Sequence, residues 1–353
     1  MANNSDKKIR FGVISASLMA TLHMEGIVRN KKSELVAVCD IDENREQAAA
    51  SRFDLNKYYL DYREMLARED IDAVVIATPD QIHPEHTIAA LEAGKHVLCE
   101  KPMALTTAEC AEMIKAAERT GKKLMIGQIC RYTPSFRLVK KMIDEGEIGE
   151  LFYVESEYVH DYSRTTGHGN WRLDPIKKRH PFLGGGCHAV DLLRWIAGNP
   201  YEVTAYSNKK VFGSLPVDDC TIAIMRFPKD VIGKVLVSVG CKRNYSMRSV
   251  FYGDKGTIIA DNTTPYIMIY KKKISDRDSY FDRIDDHVIG MKYPVPLNSH
   301  NASAEIDEFI DIIIEDKKVI TDGIEGMYTV KACISAIESA NMREKLTIDY
   351  NIL

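Results

Sequence analysis

No stretch of the 353-residue chain stays apolar for anything near the ~20 residues that a bilayer-crossing helix requires. The opening segment, MANNSDKKIR, has no apolar signal core, so a cytoplasmic protein with no membrane partner is expected. Positive charge is not in excess either. Lys and Arg number 47 against 51 Asp and Glu, a net charge of −4, which lacks the broad basic field that phosphate backbones demand. No nucleic-acid partner is expected. The eight cysteines, at 39, 99, 110, 130, 187, 220, 241 and 333, include no C-x-x-C pair. Several fall inside apolar runs, where thiols pack as small hydrophobes, so they read as reduced and mostly buried. The length, with 45% hydrophobic and 28% charged residues, suits two cored domains and excludes disorder and disulfide-stapled scaffolds.

The first third alternates short apolar runs with amphipathic stretches. Strands are expected at Ile9 to Ile14, Leu35 to Cys39, Ala73 to Ala77, His96 to Cys99 and Lys123 to Ile126. Helical patterns lie between them, around 18–30, 43–53, 84–93 and 106–120, and such alternation specifies a parallel, doubly wound α/β sheet. Beyond residue 128 the pattern changes. A helix near 134–145 ends at Gly146, Leu151 to His160 alternates like a half-buried strand, and residues 161–185 form a long polar, aromatic and glycine-rich loop of the kind that carries function. A helix at 187–197 precedes strands near 201–210, 219–227, 231–240, 246–252, 257–260 and 266–270, a largely antiparallel sheet. Residues 271–300 read as a charged loop, and helices at 301–315 and 325–341 close the chain. The expected domains are 1–128 and 129–353, the second an α+β domain with an open, mostly antiparallel sheet.

Dinucleotide folds place G-x-G-x-x-G between the first strand and first helix, where glycines permit the tight turn and the approach of backbone to pyrophosphate. Here the stretch is Ser15-Ala16-Ser17-Leu18-Met19-Ala20, with serine at the first two glycine positions. An ordinary strand-to-helix turn capped by serine explains it equally well. Asp40 tips the balance. It ends the second strand at the distance where an acidic side chain accepts the ribose hydroxyls and repels a 2′-phosphate, favouring NAD over NADP.

Further along stand Ala77-Thr78-Pro79-Asp80-Gln81-Ile82-His83 and Ala93-Gly94-Lys95-His96-Val97-Leu98-Cys99-Glu100-Lys101-Pro102. The second stretch resembles the "aGkHVlcEKP" motif of the Gfo/Idh/MocA oxidoreductases, the family of glucose-fructose oxidoreductase and inositol dehydrogenases. Agreement continues through Ile148-Gly149-Glu150, Trp171-Arg172-Leu173-Asp174-Pro175 and Gly186-Cys187-His188-Ala189-Val190-Asp191. The resemblance implies an N-terminal Rossmann domain, a small-molecule sugar, glycoside or polyol as substrate, and a homodimer or homotetramer assembled through the C-terminal sheet. It also implies that Lys101 meets the reacting hydroxyl or carbonyl and that His188 is catalytic. Glu100 and Pro102 would shape the cofactor pocket, Thr78, Pro79 and His83 the nicotinamide side, and Trp171 and Arg172 a contact from the second domain. Ser15, Ser17, Leu18 and Asp40 complete the expected cofactor set. One departure stands out: polyol dehydrogenases of the family often carry aspartate four residues before the histidine, where this chain has Gly184. Tyr158, His160 and Asp161 offer the nearest dense supply of polar groups, and they join Asp191 as expected substrate contacts.

Oxidising a secondary alcohol removes the hydroxyl proton as hydride leaves the same carbon, so a base must reach that oxygen. Lys101 and His188 are the candidates. His188 falls in the first turn of its helix, where the dipole disfavours imidazolium and keeps the ring an acceptor. A charged Lys101 would stabilise the developing alkoxide. His160, Asp161, His168, His180, Cys187 and His188 match no ligand spacing, so no metal is expected. His83 and His86 need only a helix starting at Pro84, and Lys177-Lys178-Arg179-His180 reads as a solvated face. The leading expectation is an NAD-dependent dehydrogenase of a sugar, glycoside or cyclitol, with C3 of a glycoside preferred by analogy. An enzyme that retains NAD and cleaves glycosides through a 3-keto intermediate is one alternative. A catalytically silent sugar- or nucleotide-binding regulator is the other.

Overall fold

The computed structural model describes residues 8–272 and 288–351. The chain divides into two compact units, one within Met1–Ile129 and Asn301–Lys331, the other within Cys130–His300 and Ala332–Tyr350.

The first unit runs β1 (Ile9–Ile14), α1 (Leu18–Arg29), β2 (Ser33–Cys39), α2 (Glu43–Arg52), β3 (Tyr58–Tyr59), α3 (Tyr62–Leu66), β4 (Ala73–Ile76), α4 (His83–Glu92), β5 (His96–Glu100), α5 (Thr107–Thr120) and β6 (Leu124–Gly127). Its six strands are parallel in the order β3-β2-β1-β4-β5-β6. Helices cover both faces, which is why β4 is entirely apolar and buried rather than alternating. Helix starts follow the capping residues: Ser17, Asp42 and Thr106 each take a backbone N–H, and Thr106 with Glu109 forms a capping box. Strand order reverses at β1 and β4, so the carboxyl ends of the strands around this point are where such sheets bind ligands.

The second unit holds α6 (Pro134–Asp144), β7 (Leu151–Val159), α7 (Pro181–Gly184), α8 (Cys187–Ala197), β8 (Glu202–Asn208), β9 (Cys220–Phe227), β10 (Val231–Ser238), β11 (Arg248–Gly253), β12 (Gly256–Asp261), β13 (Tyr266–Lys272) and β14 (Val288–Pro294). With the terminal β15 (Leu346–Thr347) these strands make one sheet, β14-β13-β12-β11-β7-β10-β9-β8-β15, antiparallel except where β7 meets β10. β9 alternates strictly, with Thr221, Ala223, Met225 and Phe227 buried and Ile222 and Ile224 exposed.

Two expectations change. The charged stretch 271–300, read as loop, contains β14, which pairs antiparallel with β13 from Pro294 to Val288; residues 273–287 of that stretch lie outside the described residues. As an edge strand with little to bury, β14 leaves no clear alternation in its sequence. The second difference concerns α9 (Ala302–Ile314) and the start of α10 (Gly323–Met342), which pack in the first unit rather than the second. The seam explains it: Gly26 of α1 brings α9 so near that an added Cβ would meet Ser303 Cα at 3.2 Å. Phe309 of α9 also lies 6.2 Å from Phe11 of β1, and Arg29–Asp307 and Lys32–Asp311 ion pairs rim the contact.

Candidate active site

In the first unit the site is built on the loops that leave β1, β2, β4 and β5. Ser15 sits at φ +112°, a backbone conformation natural to glycine and strained for serine. Side chains hold the turn in place of glycine's freedom: Ser17 N–H donates to Ser15 Oγ at 3.0 Å, and Ser17 Oγ accepts from Ala20 N–H and donates to the Ala77 carbonyl at 3.1 Å. Leu18, first in α1, is 77% exposed beside this turn. Asp40 is buried next to it, one oxygen accepting Ala16 N–H at 2.7 Å and the other Asp42 N–H at 3.0 Å, with Arg45 at 3.4 Å.

The loops after β4 and β5 are stapled by His83. Its Nδ1 lies 2.9 Å from the Pro102 carbonyl and its Nε2 3.0 Å from the Thr78 carbonyl, while Pro79 caps the short helical turn between. A neutral imidazole has one N–H, so two carbonyl partners are met in full only by an imidazolium. Burial opposes that charge, yet the neighbouring Cys99, Asp80 and the Pro102 carbonyl raise His83 to about 9. Glu100 is buried, bonded to His23 Nε2 at 2.8 Å and accepting the Lys101 N–H at 3.2 Å. Burial works to raise its carboxyl, but the His23 bond, helped by Lys101 and His83, holds it below the usual range. Glu100 therefore acts as a buried anion under the strand end, one residue from the half-buried Lys101.

In the second unit, α8 carries His188 in its first turn, buried among rings. Tyr158 stacks on it at 6.2 Å and 28°, His300 meets it edge-on at 6.3 Å, and Tyr245 lies 5.3 Å from both Tyr158 and His300. His160 adjoins Tyr245 at 5.7 Å, and Tyr158 OH contacts Tyr162 OH at 3.2 Å. The expected Tyr158, His160 and His188 thus come together. Tyr245 and His300, which complete the ring cluster, carry no local sequence signal, because only strand pairing and chain reversal bring them near. Burial, reinforced by Arg172, lowers His160.

The space of the missing aspartate is filled. An added Cβ at Gly184 would lie 2.0 Å from Arg179 Cζ, so a guanidinium occupies the volume into which any side chain at 184 would grow. Arg179 is buried and lies over Trp171 at 5.0 Å, while Arg172 lies over the same ring at 4.8 Å. The basic run read as a solvated face is therefore corrected at Arg179; Lys177 and Lys178 are exposed. His180 caps α7, its Nδ1 accepting Phe182 N–H, and burial takes it down to about 4.

Two of the expected substrate contacts serve the scaffold. Asp161 caps a turn, accepting Ser163 N–H at 2.9 Å and pairing with Lys242 at 3.1 Å, and these bonds lower it to about 2, beyond use as a base near neutrality. Asp191 commits both oxygens to Arg131, at 2.9 and 2.7 Å, in the core of the unit.

These domains define a nicotinamide-type oxidoreductase: residues 9–128 match a family model described as an NAD-binding Rossmann fold of oxidoreductases, and 140–348 match its C-terminal alpha/beta domain. The chain belongs to the Gfo/Idh/MocA family of oxidoreductases. Inositol 2-dehydrogenase of Salmonella typhimurium is 28% identical to it over 252 residues, 70% of this chain and 72% of that protein. A 1,5-anhydro-D-fructose reductase of Ensifer adhaerens is 32% identical over 232 residues, 64% of this chain and 68% of that one. Levoglucosan dehydrogenase in complex with NADH and levoglucosan shares the fold, with a TM-score of 0.85 at 23% identity over 97% of this chain and 100% of that one.

Proposed function

We propose that the protein is an NAD-dependent dehydrogenase interconverting a secondary hydroxyl and a ketone on a sugar, glycoside or cyclitol, with C3 of a glycoside as the preferred carbon. One observation carries the reading: Glu100-Lys101-Pro102 leaves the carboxyl end of β5 in a sheet ordered 3-2-1-4-5-6, in a chain whose relatives include an inositol dehydrogenase and an anhydrofructose reductase. The residues present suit a dinucleotide. Ser15 keeps a glycine's backbone angle, Ser17 caps α1, and Asp40 ends β2. Ser15, Ser17, Leu18, Asp40, Thr78, Pro79 and His83 would hold the cofactor, joined by Trp171 and Arg172 from the second unit. When bound, the nicotinamide supplies hydride acceptance. Lys101 and His188 supply the rest, His188 taking the hydroxyl proton and Lys101 holding the alkoxide oxygen, with Tyr158 and His160 beside the sugar.

The same reading includes a homo-oligomer formed through the second unit's sheet. One face of that sheet carries Tyr206, Ile222, Ile224 and Ile232, all exposed, on the neighbouring strands β8, β9 and β10. A cytoplasmic location also belongs to this reading; among the described residues no helix is long and apolar enough to cross a membrane.

The test is a panel of sugars, glycosides and inositols incubated with NAD, following NADH. Turnover on at least one ring hydroxyl is expected, and silence across a panel that spans these classes, with NAD demonstrably bound, counts against the dehydrogenase. Cleavage of a glycoside without net NADH release points instead to the NAD-retaining alternative. Cofactor choice is tested at Asp40. Asp40→Ala removes the ribose acceptor and leaves Arg45, a side chain suited to a 2′-phosphate, without its carboxylate partner. The NAD-over-NADP preference in kcat/KM should fall by about tenfold or more. An unchanged ratio removes Asp40 from the ribose site.

A further inference from the structure

His23 of α1, Glu100 at the end of β5 and Glu305 of α9 each bring a donor atom within 4.8 Å of the other two, and all three are buried. Two have obvious roles. His23 Nε2 and Glu100 Oε1 are hydrogen-bonded at 2.8 Å, and Glu100 Oε2 takes the Lys101 N–H. Glu305 is the anomaly: it has no solvent exposure, and neither carboxyl oxygen meets a donor among the described residues. An ionised carboxylate with no protein donor, set against a second carboxylate, is costly in a protein interior. Its charge must be cancelled by a cation or by a proton.

The contact between His23 and Glu100 decides between them. At 2.8 Å the imidazole and the carboxylate satisfy each other directly, a bond that needs no ion between them. Three enclosed donors are also too few for the oxygen-rich shells of hard divalent cations. We propose that Glu305 is an uncharged carboxylic acid in the folded protein, which leaves Glu100 as the trio's single carboxylate and makes Glu305 a positioning residue for the Glu100–Lys101 turn.

The surroundings agree from every side. Burial most of all, then Glu100 and Glu308, push the Glu305 carboxyl well above its ordinary value. On α1 the facing group is His23, already bonded to Glu100, while Arg29 and Lys32 are paired with Asp307 and Asp311 at the rim. Lys101 and His83 bear on Glu100 and favour its charge, not that of Glu305.

The test compares wild type with Glu305→Gln, whose amide keeps the shape and neutrality of the acid, by urea unfolding between about pH 5 and 8. The folded-state value lies above the unfolded value of about 4.3. The stabilisation is therefore full below that pH and is lost as pH rises toward the folded value. The ratio of unfolding constants, wild type over variant, should rise with pH, by up to about tenfold per unit while the pH stays below the folded value. A flat ratio overturns the proposal. Should the variant not fold, the infrared carbonyl band of a protonated carboxyl in wild type at neutral pH stands in. The band must survive Glu46→Gln, which removes the other buried glutamate with no donor among the described residues, and its absence overturns the proposal equally. So does an equimolar transition metal in the purified protein that Glu305→Gln loses.

The positioning role rests on the reading of Lys101 given above. Its readout is kcat on the substrate found by the panel: Glu305→Ala should lose about tenfold or more with NAD affinity kept, and Glu305→Gln should recover most of it. Full activity in Glu305→Ala removes the positioning role. A protonated-carboxyl band in a protein that turns over no sugar would strike the dehydrogenase reading and leave the uncharged Glu305 standing.

Discussion

Lys101→Ala and His188→Ala should each lower kcat for NAD-linked oxidation by about 100-fold or more, the usual contribution of a positioned acid or base, while NAD still binds. The two losses should differ in their pH dependence. A base at His188 gives wild type a kcat that rises with pH as the imidazole loses its proton, and His188→Ala removes that limb. Lys101→Ala keeps it and instead loses stabilisation of the developing oxyanion, so Lys101→Arg, which retains charge but not the compact ammonium, should recover only part of the rate. Steady-state kinetics over pH, with NAD affinity measured separately by calorimetry, checks both. A His188→Ala enzyme with normal kcat would transfer the base role to Lys101.

Arg131→Met should be the most damaging single change to the second unit. Asp191 is almost fully buried and bonded through both oxygens to Arg131, and Arg194, 3.7 Å from it, already holds Asn199 at 2.9 and 2.7 Å. Removing Arg131 takes both of its short hydrogen bonds from a buried carboxylate and leaves Arg194 beside it at 3.7 Å, a change expected to cost about 3 kcal/mol. Removing both charges at once, as Arg131→Met with Asp191→Leu, should recover most of that loss, because two apolar groups need no partners. Urea unfolding of the three variants measures it; a double variant as unstable as the single would show that Asp191 is not the source. Asp191 lies one helical turn beyond His188, so the pair also anchors the segment of α8 that carries the imidazole.

The fold was legible where one rule governed the local sequence. The apolar runs of β1, β4 and β5 and the caps at Ser17 and Thr106 announce a parallel sheet with covering helices, and the alternation in β9 announces a one-sided sheet. β14 was hidden because an edge strand with charged and glycine residues buries little. The return of α9 to the first unit was hidden too, since an amphipathic helix declares that it has a partner but not which one. At the site, Lys101, Glu100 and His188 were marked by motif. Tyr245, His300 and Glu305 were not, because each earns its place through neighbours 50 or more positions away in the chain. Asp161 and Asp191 misled for the opposite reason: a carboxylate near a motif looks available until its donors, Ser163, Lys242 and Arg131, are seen.

The guanidinium lying across Gly184 couples positions 179 and 184. A side chain at 184 would have to push the end of Arg179 aside and so disturb its stack on Trp171. The two positions should therefore vary together, so that a relative with aspartate at 184 carries at 179 either a shorter side chain or an arginine turned to meet the acid.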